Sequence, residues 1–210
     1  MARPKTGYGK GIVGVTTAIN VLGMNKGALM YWAWDQGRQG FDFRETRDSA
    51  AEAGTLAHEM IEAELTGKPM PDTSKIDPEV VSKAETAYIS FLDWARLVDF
   101  RVVETELSLV DPVLKVGGTM DKVSIQGKLC ITDFKTSKGG TAYPEMWLQL
   151  AAYGHLWNLH NPDNPVHDYY LLILDKTNGG FSYHHKHKLD LHLEVFKKCA
   201  EIYHLWKEIK

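Results

Sequence analysis

Through its first hundred residues the chain spaces its apolar positions three and four apart; after that they fall on alternate positions. The first pattern predicts helices and the second strands. Met1 to Gly14, rich in Gly and Lys, reads as a loose arm that becomes ordered near Val15. A helix is expected from Thr16 or Thr17, with an interruption at Gly23 to Asn25. A second helix through Leu29, Trp32 and Ala33 is broken over Gly37 to Arg44. Asp48 or Ser49 is placed to cap the next helix, which carries Leu56, Met60, Ile61 and Leu65 and stops at Gly67-Lys68-Pro69. A third starts after Asp77-Pro78 and reaches about Val98.

Strands are expected at Arg101 to Val110, Leu114 to Ile125 and Lys128 to Thr136. Pro144 opens a helix to Leu159, and Asn161 to Pro165 signals a turn. Two more strands, Tyr169 to Leu174 and Phe181 to Lys186, precede an amphipathic helix from Leu189 to Ile209. The chain shows no internal repeat or flexible linker, so one α/β domain over 1–210 is expected. Its mainly helical part spans 1–100, its β-β-β-α-β-β sheet core 101–188, and its closing helix 189–210.

Two strand-like segments carry the chemistry. Gly117-Gly118-Thr119-Met120-Asp121 and Ile131-Thr132-Asp133-Phe134-Lys135-Thr136 place two carboxylates and an ammonium on neighbouring strands. Residues i and i+2 share a face of a strand, so Asp133 and Lys135 point one way and Phe134 the other. Carboxylates gather a hard divalent cation, and a nearby ammonium stabilises a pentavalent phosphate. The arrangement therefore points to metal-dependent cleavage of phosphodiesters.

Whether Asp121 and Asp133 can meet depends on the turn at Gln126-Gly127. A two-residue turn would pair Asp121 with Thr132 and send Asp133 to the opposite face. A three-residue loop over Ile125, Gln126 and Gly127, with left-handed glycine as its bulge, or an equivalent bulge, restores a shared face. This is the expected form.

Composition narrows the picture further. The formal net charge is −3, so no global basic field marks a nonspecific nucleic-acid binder, and any DNA groove must be locally basic. Cys130 and Cys199 fit no metal or redox spacing and read as buried small hydrophobes. They are too few to ligate an iron–sulfur cluster within this chain. The basic amino terminus lacks the apolar core of a signal peptide and no stretch is long enough to span a bilayer, so a cytoplasmic protein is expected.

Further residues gain weight only beside Asp121 and Asp133. His58 stands mid-helix with Glu62 one turn later on the same face. Such a histidine is either structural or a completing ligand for Mg²⁺ or, more comfortably, Mn²⁺. Glu106 alternates with Glu104, so it either joins the acidic cluster or is solvated. Gln149 and Tyr153, at i and i+4, share a helix face among apolar neighbours. They read as a surface residue and a boundary aromatic, or as part of the site. Thr136, Ser137 and Lys138 are loop residues able to contact phosphates, and Lys122 is a further basic candidate. In Tyr183 to Lys188, His185 and His187 share a face without a third ligand nearby in sequence, and a solvated edge strand is the expected reading.

Taken in order, these residues resemble the RecB-type branch of the PD-(D/E)XK nuclease superfamily. The match runs through His58 on an early helix, Gly118 to Asp121, Ile131 to Thr136, and Gln149 to Tyr153. Val15-Thr16-Thr17 with Lys26, Leu29 and Trp32 also looks like the opening segment of phage-type exonucleases of this group. The resemblance implies an α/β restriction-endonuclease-like core, a mixed β-sheet flanked by helices with a helical amino-terminal half and its site at one sheet edge. In it His58, Asp121, Asp133 and the Phe134 carbonyl would hold one or two Mg²⁺ or Mn²⁺ ions, with no iron–sulfur cluster. Lys135 would orient water and stabilise charge, Gln149 would position Lys135 or the nucleophile, and Tyr153 would touch DNA.

The expected function is a DNA exonuclease of phage or bacterial recombination, repair or replication, with proteins of those processes as possible partners. A structure-specific endonuclease and a noncatalytic DNA-end-binding protein are the alternatives.

Overall fold

The computed structural model describes residues 8–24 and 26–209. Of the expected loose arm and the interruption at Gly23 to Asn25, residues 1–7 and Asn25 lie outside them. Within the arm, Val13–Gly14 already forms a short strand, β1, and α1 follows directly as Val15–Ile19. A 3₁₀ turn over Asn20–Leu22 leads to α2 (Lys26–Arg38). Then come α3 (Phe43–Thr66), α4 (Pro78–Leu97), β2 (Arg101–Asp111), β3 (Val116–Gln126) and β4 (Lys128–Ser137). The chain closes with α5 (Pro144–His160), β5 (Asp168–Asp175), β6 (Phe181–His187) and α6 (Asp190–Glu208).

The start of α3 corrects an expectation. Its cap is Asp42 rather than Asp48 or Ser49: the Arg44 N–H donates to Asp42 Oδ1 at 2.8 Å. An aspartate in extended conformation ahead of the helix satisfies an otherwise orphaned amide, so α3 gains nearly two turns at its start. At α4 the cap falls as expected, with the Glu79 N–H donating to Asp77 Oδ1 at 2.7 Å and Pro78 in the first turn.

Among the described residues the sheet has six strands in the order β1-β3-β4-β5-β6, with β2 on the other edge of β3. It is mixed: β3–β4, β2–β3 and β5–β6 pair antiparallel, β1–β3 and β4–β5 parallel. One face packs on α1, α5 and α6 through Val116, Val123, Ile131, Leu156, Leu171 and Phe196. The other packs on α3 and α4 through Phe134, Leu172 and Leu174 against Ile61, Phe91 and Trp94. Covering both faces explains why β5 reads as a continuous apolar run.

The β3–β4 turn is centred one residue later than expected. Gln126 pairs with Lys128 about Gly127, whose φ of 70° is the left-handed conformation that glycine adopts without strain. The connection is still odd-numbered, so facing is preserved, and the register extends from Lys122↔Thr132 to set Asp121 opposite Asp133.

Strand β6 lies at the sheet edge. There His185 Nε2 and His187 Nδ1 stand 2.8 and 3.3 Å from one oxygen of Asp168, which ties this edge to β5.

Candidate active site

The site occupies a seam in the sheet. One edge of β3 pairs with β1 at Val116 and Gly117, then with β4 from Lys122 onward. Between these ladders lies the segment Gly118 to Asp121. Where a ladder bond would form, the Asp121 side chain intervenes: the Phe134 N–H donates to Asp121 Oδ2 at 2.7 Å. This bond fixes the carboxylate and leaves Oδ1 facing His58, whose Nδ1 is 3.5 Å away.

Strand β2 supplies another carboxylate. The β2–β3 register runs Thr105↔Lys122 and Leu107↔Met120, which sets Glu106 across from Asp121. Glu106 has a φ of 48°, a strained value for a residue with a side chain. Strain of that kind persists where the surroundings impose it, commonly at functional sites. Among the described residues His58, Glu106 and Asp121 form the group whose donor atoms all lie within 4.8 Å of one another. An imidazole and two carboxylates suit a hard divalent cation with some tolerance for nitrogen.

Asp133 stands beside this group, 1 % exposed, with Oδ2 2.5 Å from Lys135 Nζ. The Lys135 ammonium is thus a direct partner of this buried oxygen. Burial raises the Asp133 carboxyl to about 6; Lys135 opposes that rise and Asp121 adds to it. A buried carboxylate beside a second carboxylate fits a shared cation, which relieves their mutual repulsion.

On the other side of the seam, Lys135 Nζ donates to Gln149 Oε1 at 3.0 Å and Gln149 Nε2 donates to Tyr153 Oη at 2.6 Å. Both α5 residues therefore belong to the cluster. A Cβ on Gly118 would fall 2.6 Å from the Tyr153 ring, so glycine is what lets that ring reach the seam. On the α3 face a cleft of about 310 Å³ opens between Ala50, Gly54, Thr55 and His58 and the strand residues Phe134 to Thr136.

Two expected residues fall elsewhere. Lys122 is 0 % exposed, with its ammonium 3.8 Å from the Phe100 ring centre and 4.4 Å from that of Trp94. It cannot reach DNA, because the even-numbered face of β3 at this point is the α4 core; burial lowers its pKa to about 7. Glu62 lies one turn beyond His58 and pairs with Lys68 at 2.6 Å, because α3 carries it past the seam to its own carboxy-terminal end. Thr136 lines the cleft, while Ser137 turns to the Gly139 carbonyl at 2.6 Å. Lys138 is exposed in the following loop.

Sequence reasoning did not single out Lys176, whose Nζ donates to the Ala50 carbonyl at 3.0 Å and ties the β5–β6 connection to the cleft wall. Nothing local to that lysine signals the contact.

Residues 38–209 match the family model of the PD-(D/E)XK nuclease superfamily. No curated protein matches the chain. Among solved structures, it is similar to the alkaline exonuclease LHK-Exo of Laribacter hongkongensis, at 14% identity and TM-score 0.52, over 95% of this chain and 89% of that one. LHK-Exo in complex with dAMP gives 13% identity and TM-score 0.53 over the same shares. A putative exonuclease from Eubacterium rectale gives 13% identity and TM-score 0.51 over 71% of this chain; the matched part is 64% of that protein's length. At these identities the likeness is one of fold.

Proposed function

Because the chain belongs to the PD-(D/E)XK nuclease superfamily, we propose that it is a divalent-metal-dependent deoxyribonuclease that digests DNA from its ends. The observation that carries the reading is the convergence of His58, Glu106 and Asp121 within 4.8 Å, beside the Asp133–Lys135 pair.

Nucleases of this superfamily use divalent metal ions, and here His58, Glu106, Asp121 and Asp133 would hold one or two Mg²⁺ or Mn²⁺ ions. When bound, such an ion supplies Lewis acidity and makes hydroxide available near neutral pH. Ligation requires a neutral His58 and ionised carboxylates. The amide bond to Phe134 holds Asp121 in place in advance. The Phe134 carbonyl is a further candidate ligand.

Lys135 places its positive charge where negative charge develops on the scissile phosphate. Its direction is set by the Gln149 carbonyl oxygen, and Gln149 is steadied by Tyr153. Tyr153 is thereby a positioning group as well as a candidate DNA contact. Thr136, Ser137 and Lys138 follow the lysine strand and would meet the phosphates on either side. The exonuclease mode draws on the fold shared with the structures above. The setting we infer is bacterial or phage DNA recombination, repair or replication in the cytoplasm.

The test is digestion of end-labelled linear and of circular DNA, single- and double-stranded, in Mg²⁺ and in Mn²⁺, repeated with Lys135→Ala. Metal-dependent loss of linear substrate that the substitution abolishes is expected. Cutting of circles would replace the end-dependent mode with an endonuclease, and activity untouched by Lys135→Ala would remove the assignment.

A further inference from the structure

The chain carries a formal charge of −3, yet a second groove, about 550 Å³ in volume, is lined by Lys10, Lys115, His204 and Lys207 together with Tyr203. Among the described residues that line it, Glu208 is the one carboxylate. Cations left without matching carboxylates in a concave site focus a positive potential, which a polyanion relieves.

The groove is built rather than incidental. Lys115 sits in the β2–β3 turn with a φ of 52°, a costly conformation for lysine. That turn is held by Asp111, whose Oδ1 accepts the Val113 and Leu114 N–H groups at 2.7 and 2.9 Å while Oδ2 meets His155 Nε2 at 2.7 Å. The Lys115 carbonyl in turn accepts the Val13 N–H at 2.9 Å, which brings the segment bearing Lys10 alongside. The buried Nε2 of His204 has no hydrogen-bond partner. Lys207 is steadied over the Tyr203 ring at 5.3 Å.

Its position relates it to the seam. Strands β3 and β4 are antiparallel, so the start of β3 and the end of β4, where Lys135 and Thr136 lie, are at the same end of the sheet. Lys115 immediately precedes β3 and Asp121 lies six residues on, a span of about 20 Å at roughly 3.3 Å per residue. At about 3.4 Å per nucleotide along one strand, that distance corresponds to about six phosphates.

We propose that this groove binds backbone phosphates of the DNA strand whose scissile bond lies in the seam, about six nucleotides away. The proposal rests on the deoxyribonuclease reading and adds to it a second contact, which selects for substrate length and contributes affinity without touching the chemistry.

The test uses Lys115→Asn with Lys207→Gln in the full chain; asparagine tolerates the left-handed backbone at the turn. Binding is measured by fluorescence anisotropy in Ca²⁺ on labelled strands of about 20 and about four nucleotides, between about 50 and 200 mM salt. Cleavage of both strands is then measured in Mg²⁺. Affinity for the long strand should fall about tenfold and its log–log salt dependence flatten by about 1.5, while cleavage of the short strand is unchanged.

Unchanged long-strand affinity would overturn the proposal, even if pyrophosphate binds the parent, since that leaves a site for free anions only. Equal losses on both strands would overturn it too. Lys10→Glu, on a separate segment, supplies the same readout should the double variant fail to fold. Failure of the parent to hydrolyse DNA would instead remove the nuclease reading; hydrolysis by the parent with binding unaltered in the variants removes only the groove.

Discussion

Replacing Asp133 by asparagine should abolish DNA cleavage and at the same time stabilise the metal-free protein. The carboxyl is 1 % exposed, and its pKa moves from 3.8 to about 6, chiefly through burial. A shift of that size holds the proton roughly a hundredfold more tightly, worth about 3 kcal/mol at about 1.36 kcal/mol per tenfold. Because the folded-state value is the higher one, the contribution to stability is fully present below 3.8 and is lost as pH rises through about 6. Asparagine does not ionise, so the gap between variant and parent should open from near zero at about pH 4 to at most about 3 kcal/mol at about pH 7. The loss of the Lys135 ion pair is already contained in that figure, because Lys135 is one of the groups that set the value of about 6. Urea denaturation in EDTA at the two pH values measures the gap, and adding Mg²⁺ should raise the midpoint of the parent more than that of the variant. A variant no more stable than the parent at pH 7 in EDTA, or one that cleaves within about tenfold of the parent, would refute the reasoning.

Other substitutions probe the remaining parts of the seam. Lys135→Ala should lower kcat by about 10²–10³ with little change in DNA binding, measured by single-turnover cleavage beside anisotropy. Gly118→Ala puts a methyl 2.6 Å from the Tyr153 ring and should cost about 1–3 kcal/mol in thermal unfolding together with a loss of kcat. Glu106→Gln should weaken Mg²⁺ binding by about tenfold or more by calorimetry while the folded state survives. Lys122→Met removes a buried ammonium whose pKa is depressed to about 7. Its benefit should be largest below about pH 7 and shrink toward pH 10, as the parent lysine sheds its proton in both states; a uniform benefit across that range would count against a buried charge.

Much of the candidate site was legible in the chain because it depends on local periodicity. Asp133 and Lys135 share a face by the two-residue repeat of a strand, and Gln149 reaches Tyr153 by the four-residue repeat of a helix. The turn shows where such reasoning thins: glycine at 127 announced a left-handed residue, but hydrogen-bond closure set the centre there rather than one position earlier. The cap of α3 lies at Asp42 rather than at Asp48 or Ser49 because several cap-forming side chains stand close together in this stretch, and only the path of the backbone into the helix selects one. Lys122 was misread because its neighbours in sequence are site residues, whereas its neighbours in space are Trp94 and Phe100.

By itself the sequence determined the order of helices and strands, the shared strand face of Asp133 and Lys135, and the shared helix face of Gln149 and Tyr153. These follow from near-neighbour geometry, which backbone periodicity encodes directly. Tertiary structure alone decided that Glu106 meets His58 and Asp121, since that rests on the register of β2 and on one strained backbone angle. It also decided that β1 and β4 divide one edge of β3 and leave Asp121 to accept the Phe134 amide. Contacts of this kind join residues far apart in the chain, and their energies depend on packing, which no single stretch of sequence carries.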